Sequence, residues 1–228
     1  MRYPSRPLEA RLVDRPNRFL GVVEVQGSAE MCFIPNPGRM HELMVPGARV
    51  YLLEKSGEHR KTRYNMVLVD HGGIMVSVDS RLPNTLVAEA VGAGRLREFR
   101  GYTVERTEPV FHDSRLDLVL SDGEGQVMVE TKSCTLVEEG VALFPDAPTK
   151  RGARHMRTLV KALDGGHAAA VFVIQRGDAH ELRPNDGTDP VFGEALRHAA
   201  SMGVETYAYV SDVSLRGVKI NDRVPLRL

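Results

Sequence analysis

The chain has no tryptophan, only two cysteines, and few aromatics, 6% of 228 residues. Without tryptophan it lacks the largest flat side chain for stacking on a sugar ring, which disfavours direct carbohydrate binding. Cys32 and Cys134 are too few and too isolated for a disulfide framework or a zinc site. They read as two buried or half-buried thiols. An excess of charge of one sign is missing as well: 30 basic residues meet 30 acidic ones. Any nucleic-acid binding must therefore use a local patch rather than bulk charge. No apolar run approaches the roughly 18 residues of a membrane-spanning helix. The opening MRYPSRPLEARLVDRPNRFL is charged throughout and has no apolar signal core. A cytoplasmic protein with no membrane partner is the expectation. Gly-rich phosphate loops of the GxxxxGK[ST] and GxGxxG kinds are absent, as are HExxH, CxxC and GxSxG. Those absences argue against P-loop, Rossmann, zinc-protease and serine-hydrolase chemistry.

What is present divides into two parts. Up to residue 82 short strands alternate with turn signals, with strands expected over 8–13, 18–25, 29–34, 49–54, 64–70 and 73–79. Gln26-Gly27, Pro35-Asn36-Pro37-Gly38, Pro46-Gly47, Ser56-Gly57 and Gly72-Gly73 separate them. Evenly spaced short strands predict a small OB-like β-barrel over 1–82. Leu82-Pro83-Asn84 marks a boundary, and helices and strands then alternate over 83–228, which predicts a mixed α/β sheet. A helix is expected over 84–99 with Asn84 as its cap and Leu86, Ala90, Val91 and Leu96 inward. A second is expected over 147–163 with Asp146 as N-cap, and a third over 190–202. Strands are expected over 102–108, 115–120, 126–133, 169–175 and 204–210, with one further hairpin in 213–228.

The stretch RLDLVLSDGEGQVMVETKSCTL carries the chemistry. Asp122-Gly123-Glu124-Gly125 is a strong turn, and pairing Ser121 with Gln126 sets Asp117 opposite Glu130 in an antiparallel hairpin. Glu130 and Lys132 are two apart and share a strand face. Asp117, Glu130 and Lys132 then converge, while Leu116, Leu118, Leu120, Val127 and Val129 turn to the other side. Two carboxylates offer hard oxygen ligands for Mg²⁺ (or Mn²⁺), with the Thr131 main-chain carbonyl as a further candidate ligand. A cation there would polarise a phosphate and acidify water. Lys132 would serve that water or offset charge in the transition state. A slip of one residue would undo the convergence.

Other residues are candidates by position. Glu89, on the helix before the sheet, is a candidate metal ligand, with Glu108 a weaker one. Gln175 ends a buried strand and either faces the site or marks the strand's exposed end. On the helix over 147–163, Met156, Leu159, Val160 and Leu163 form an apolar stripe. Lys150, Arg154, Arg157 and Lys161, with Arg151 nearby, form a basic face suited to phosphates. In the N-terminal part, Arg39 and the Arg60, Lys61, Arg63 cluster are candidate nucleic-acid contacts. Phe19 and Phe33 lie in apolar strands and are expected in the core.

The arrangement resembles the PD-(D/E)xK nuclease superfamily, with Leu116 where the name-giving proline would stand. Nearly the whole chain resembles the sugar fermentation stimulation protein A family through RFLGVVEV, PNPGRM, LPNTLVAEAV, SRLDLVL, VETKSCTL and FPDAPTKRGARHMRTL. It departs at Phe33-Ile34, where many relatives carry His-Cys. The resemblance implies an OB-like domain followed by a restriction-endonuclease-like domain. It also adds weight to Arg151 and His155, with His155 either a substrate or water ligand or, as a lone histidine more often is, a structural residue. It implies a DNA-binding protein linked to regulation of sugar-utilisation genes. Its site would be either a metal-dependent nuclease or an inherited scaffold that binds without cutting. The expected partner is nucleic acid, with DNA favoured, and self-association is left open.

Overall fold

The computed structural model describes residues 1–57 and 60–228. Six strands come first: β1 (Leu8–Asn17), β2 (Leu20–Val25), β3 (Ser28–Phe33), β4 (Arg49–Glu54), β5 (Tyr64–His71) and β6 (Ile74–Ser77). They run in the order β3-β2-β1-β4-β5-β6, and a short parallel pairing of β3 with β5 closes the first five into a barrel. Closure removes the free edges that would otherwise invite pairing with another chain. The β2–β3 hairpin turns on Gln26 and Gly27, both with positive φ (53° and 81°), the two-residue geometry that matches strand twist. Leu12, Val23, Cys32, Ile34, Leu52 and Met66 fill the barrel.

After the barrel come α1 (Leu82–Gly92), β7 (Thr103–Thr107), the short pair β8 (Val110–Phe111) and β9 (Ser114–Arg115), β10 (Leu118–Ser121) and β11 (Gln126–Cys134). Then follow β12 (Val137–Glu138), β13 (Val141–Phe144), α2 (Lys150–Ala162), β14 (His167–Ile174), β15 (Glu181–Pro184), α3 (Pro190–Ser201), β16 (Glu205–Ser214) and β17 (Gly217–Val224). The main sheet has the order β17-β16-β14-β11-β10-β7. Its β11, β14 and β16 are parallel neighbours, and the outer pairings are antiparallel. The mixed α/β class expected from the sequence is the class observed.

Alternation along β14 shows how the sheet is covered. Ala168, Ala170, Phe172 and Ile174 pack with α2 and α3, while Ala169, Val171 and Val173 pack with α1. Both faces are buried, so this strand reads as an unbroken apolar run. Among the described residues no helix is long and apolar enough to cross a membrane. Cys32 and Cys134 are buried free thiols.

Several boundaries depart from the sequence reading, among them the end of β1, which runs on to Asn17 instead of stopping at 13. The first long helix stops at Gly92, because Gly94 takes a positive φ of 63° and a separate 3-10 turn covers Arg97–Phe99. Its cap is Arg81, not Asn84. The second helix starts at Lys150 with Thr149 as N-cap, its side chain accepting from the Gly152 N–H at 2.9 Å. Pro148 disfavours helix in the residue before it, and Asp146 instead accepts a hydrogen bond from the Met40 N–H at 3.2 Å. The last hairpin joins β16 to β17 rather than lying wholly within 213–228.

Candidate functional site

Register brings the hairpin residues together. Ser121 pairs with Gln126 and Leu118 with Val129, so Asp117, one residue before β10, stands across from Glu130. The backbone is held there by the Asp117 N–H donating to the Val129 carbonyl at 3.2 Å. On β11, Met128 and Cys134 pack into the core shared with α2. Glu130 and Lys132 lie between them on the same alternation, so two ionised side chains occupy positions where packing calls for apolar ones. Charge so placed carries a desolvation cost unless it is paired.

The pairing is dense. Glu130 is 3% exposed, and its Oε1 accepts from Lys132 Nζ and from His155 Nδ1. His155 Nε2 in turn accepts from Arg151 Nε at 3.2 Å, which requires the neutral tautomer carrying its proton on Nδ1. Burial alone would raise the Glu130 carboxyl, but the Lys132 ammonium and the His155 hydrogen bond outweigh it and hold the group below the usual carboxylate range. Asp117 is fixed from the other side. Its Oδ1 accepts from Asn84 Nδ2 at 2.8 Å and its Oδ2 from the Thr131 N–H at 2.7 Å, with the Thr131 hydroxyl at 3.0 Å. Burial first, and the neighbouring Glu130 charge second, push the Asp117 carboxyl above its ordinary value.

Both carboxylates line one cavity of about 710 Å³ at the junction of barrel and sheet, with Lys132 and Asn84 on its wall and Arg18, Arg81 and Arg151 around it. One atom inside is unsatisfied: Glu130 Oε2 is buried and has no hydrogen-bond partner among the described residues. An unmet buried carboxylate oxygen costs about 1–3 kcal/mol or more, and a cation would relieve it. Among the described residues no group of three or more His, Cys, Asp and Glu side chains is gathered around a metal position. The side-chain donors are therefore the two carboxylates. That set suits a Mg²⁺-type ion, which completes its shell with water or phosphate. The residues present fit such an ion.

Residues 13–78 match the family model described as the SfsA N-terminal OB domain, and residues 81–217 match the sugar fermentation stimulation protein RE domain. The chain belongs to the sugar fermentation stimulation protein family. A sugar fermentation stimulation protein homolog of Moorella thermoacetica is 49% identical over 209 residues, covering 90% of each chain. A homolog of Desulforamulus reducens is 43% identical over 97% of this chain and 92% of its own. The solved structure of Pyrococcus furiosus SfsA in complex with Ca²⁺ superposes with a TM-score of 0.93 at 31% identity, covering 100% of this chain and 98% of that one. The fold expected from the resemblance, an OB-like barrel followed by a restriction-endonuclease-like domain, is thus the family's fold.

Within this family member several candidates sit elsewhere than expected. Glu89 does not reach the cavity: it is exposed and pairs with the Met1 amine at 2.5 Å. Five residues along a helix is about 140° around its axis, so Glu89 faces away from Asn84, the α1 residue that does hold Asp117. His155 is 1% exposed and cannot touch a nucleic acid; it positions Glu130. Gln175 neither faces the cavity nor marks an exposed end. It is fully buried, accepts from Ser77 Oγ at 2.9 Å and donates to Ser133 Oγ at 2.8 Å and the Asp79 carbonyl at 3.0 Å, joining barrel to sheet. Gln175→Leu is expected to cost about 1–3 kcal/mol through the groups it leaves unpaired, read as a lower urea midpoint with unchanged slope. Leu116 packs with the α2 core rather than beside Leu118, because the strand breaks between β9 and β10.

Of the basic candidates, only Arg151 lines the cavity. Lys150 and Arg154 are exposed on α2, and Arg39 is exposed on the barrel beside a smaller hollow. In the loop between β4 and β5, Arg63 is paired with Glu54 at 2.7 Å, Arg60 is bonded to Asn65, and Lys61 is exposed. Glu108 lines the cavity, at an exposed position paired with Arg115 at 3.6 Å. Sequence reasoning missed Asn84, Arg18 and Arg81; LPNT and RFLGVVEV, quoted above for the family likeness, contain Asn84 and Arg18.

Proposed function

We propose that this chain is a metal-dependent nuclease that cleaves a phosphodiester bond in the cavity beside Asp117, Glu130 and Lys132. The observation that carries this reading is Glu130 itself, a buried carboxylate with one oxygen bound to Lys132 and His155 and the other without a partner among the described residues, in a cavity that Asp117 also lines. The ligands would be Asp117 and Glu130, with the Thr131 carbonyl a further candidate, and the ion Mg²⁺ or Mn²⁺. A relative, the Pyrococcus furiosus protein, is described in complex with Ca²⁺, which supports a divalent ion. Such an ion supplies Lewis-acid charge to the phosphate and acidifies the attacking water.

The chain's own residues do the rest. Asn84 and the Thr131 N–H hold the Asp117 carboxylate in one orientation, and His155, braced by Arg151, holds Glu130. Lys132 lends a fixed positive charge where negative charge grows on the phosphate, or orients the water. Arg18, Arg81 and Arg151 stand around the cavity, placed for the flanking phosphates. In this reading residues 1–82 bind nucleic acid, with DNA favoured, and residues 83–228 cut it, inside the cytoplasm.

The test is cleavage of labelled single-stranded, duplex and branched DNA and RNA, with Mg²⁺, Mn²⁺ or chelator. Cutting that needs the metal and vanishes in Lys132→Met is the expected result. Binding without any cutting, equal in both proteins, would overturn the nuclease and leave a DNA-binding regulator on the same scaffold.

A further inference from the structure

Phe19 stands in the turn between β1 and β2 and is 46% exposed, not in the core where its apolar strand suggested. Its ring stacks on Phe33, with centroids 6.2 Å apart and planes 18° from parallel. The Arg81 guanidinium lies 5.9 Å from the Phe33 ring centroid, within reach of a cation–π contact. Arg81 is itself held by Asp79 through two bonds of 2.8 and 2.6 Å. Arg18, the residue before Phe19, and Arg81 both line the cavity that holds Asp117 and Glu130. An aromatic pair, flanked by two arginines, therefore stands at the cavity margin.

The turn is built to be rigid. The Phe19 N–H donates to Asn17 Oδ1 at 2.9 Å, and its carbonyl accepts from the Ile34 N–H at 2.9 Å. The Arg15 guanidinium reaches in and donates to the carbonyls of Arg18 at 2.9 Å, Gly38 at 2.8 Å and Arg39. That clamp joins the Phe19 turn to the Pro35-Asn36-Pro37-Gly38 loop, part of which also lines the cavity. A large apolar ring left nearly half exposed contributes less to folding than a core ring, but a rigid aromatic loses little entropy when something stacks on it.

We infer that Phe19 and Phe33, flanked by Arg18 and Arg81, form a stacking platform for an unpaired base, so that the ligand is single-stranded nucleic acid or a strand with unpaired nucleotides next to the cavity. Stacking on an aromatic needs a base whose face is open, which a duplex does not offer along its length. Arg18, next to Phe19 in sequence, supplies positive charge for the backbone, while Arg81, paired with Asp79, braces the Phe33 ring. The inference rests on the nuclease reading only for where the strand runs next; the platform itself stands on the barrel.

The experiment is fluorescence anisotropy in chelator, where no cutting occurs, with a short labelled single-stranded DNA and the matching duplex. Wild type is expected to bind the single strand more tightly than the duplex. Phe19→Ala and Phe19→Leu are expected to weaken single-strand binding roughly tenfold or more, with duplex binding unchanged and the chain still folded at the assay temperature, and Phe19→Trp to restore it. Leucine keeps apolar bulk without a π-face, so loss in both variants and rescue by tryptophan assigns the effect to stacking. Equal single-strand binding by wild type, Phe19→Ala and Phe19→Leu would overturn the platform, as would an equal loss for both ligands. Phe19-dependent binding in a protein that never cuts would keep the platform and sink the nuclease. Metal-dependent cutting with no response to Phe19 would do the reverse.

Discussion

Lys132→Met is expected to lower the folding free energy by about 3–5 kcal/mol, the range for removing one partner of a buried ion pair, and to cut the cleavage rate by about 10²–10³. Methionine nearly matches lysine in length and leaves no large void, so the loss isolates the charge. Glu130 keeps the His155 hydrogen bond but loses the ammonium, the strongest influence opposing its burial. Against a typical total stability of about 5–15 kcal/mol, that is a large fraction of what holds the chain folded, and urea melts of the two proteins would read it directly.

The pH dependence of that difference has a definite sign. In the wild-type chain the Glu130 carboxyl sits below its ordinary value. Its contribution is therefore full above the unfolded value of about 4.3 and is lost as pH falls through the folded value. In Lys132→Met burial becomes the dominant influence and moves the folded value upward, so Glu130 takes a proton more readily and the variant's stability falls as pH rises through that window. The gap between the two proteins should be widest near neutral pH and should narrow on acidification, as Glu130 becomes neutral in both. A gap independent of pH would mean that Lys132 matters only as packing.

Local pattern made the hairpin readable. Asp122-Gly123-Glu124-Gly125 can do little but turn, and its Asp122 Oδ1 accepts from the Glu124 and Gly125 N–H groups at 3.0 and 2.8 Å. That fixes the register, and the register sets Asp117 across from Glu130. Most barrel strands were legible for the same reason, since glycine or proline bounds them, whereas the β1–β2 turn at Arg18-Phe19 has neither and was read as strand. What was not legible depends on contacts far apart in sequence. Asn84 has the composition of a cap, and only the approach of β10 and β11, 33 and 47 residues away, turns it into the residue that orients Asp117. His155 is a candidate ligand through the family resemblance, yet helix rotation points it inward to Glu130, 25 residues earlier. Phe19 lies in an apolar stretch, but the β1–β2 turn leaves its ring outside. Gln175 gains its role only where barrel meets sheet, 98 residues from Ser77.

Divalent cations are expected to stabilise the wild-type chain, and Asp117→Asn is expected to abolish that response. The metal-free chain holds two carboxylates in one cavity, and Asp117 is above its ordinary value because it is buried and because Glu130 repels it. A carboxyl raised on folding works against stability: the cost is absent below the unfolded value of about 3.9, grows as pH rises through the folded value, and is complete above it. Asparagine removes that charge while keeping an oxygen for the Thr131 N–H, and Asn84 can turn its amide to meet the new NH₂ group. Without metal, Asp117→Asn should therefore melt at or above the wild-type temperature at neutral pH. With Mg²⁺ or Mn²⁺ at about a hundred times its dissociation constant, binding adds about 2.7 kcal/mol, a rise of roughly 5–10 °C for a chain of this size. The wild type should show that rise and the variant should not, so their order of stability inverts on adding metal. Acidification should erase the rise, since protons compete for the raised Asp117 carboxylate first. An equal shift in both proteins would place the ion elsewhere, and no shift with either metal would remove the cation from this cavity.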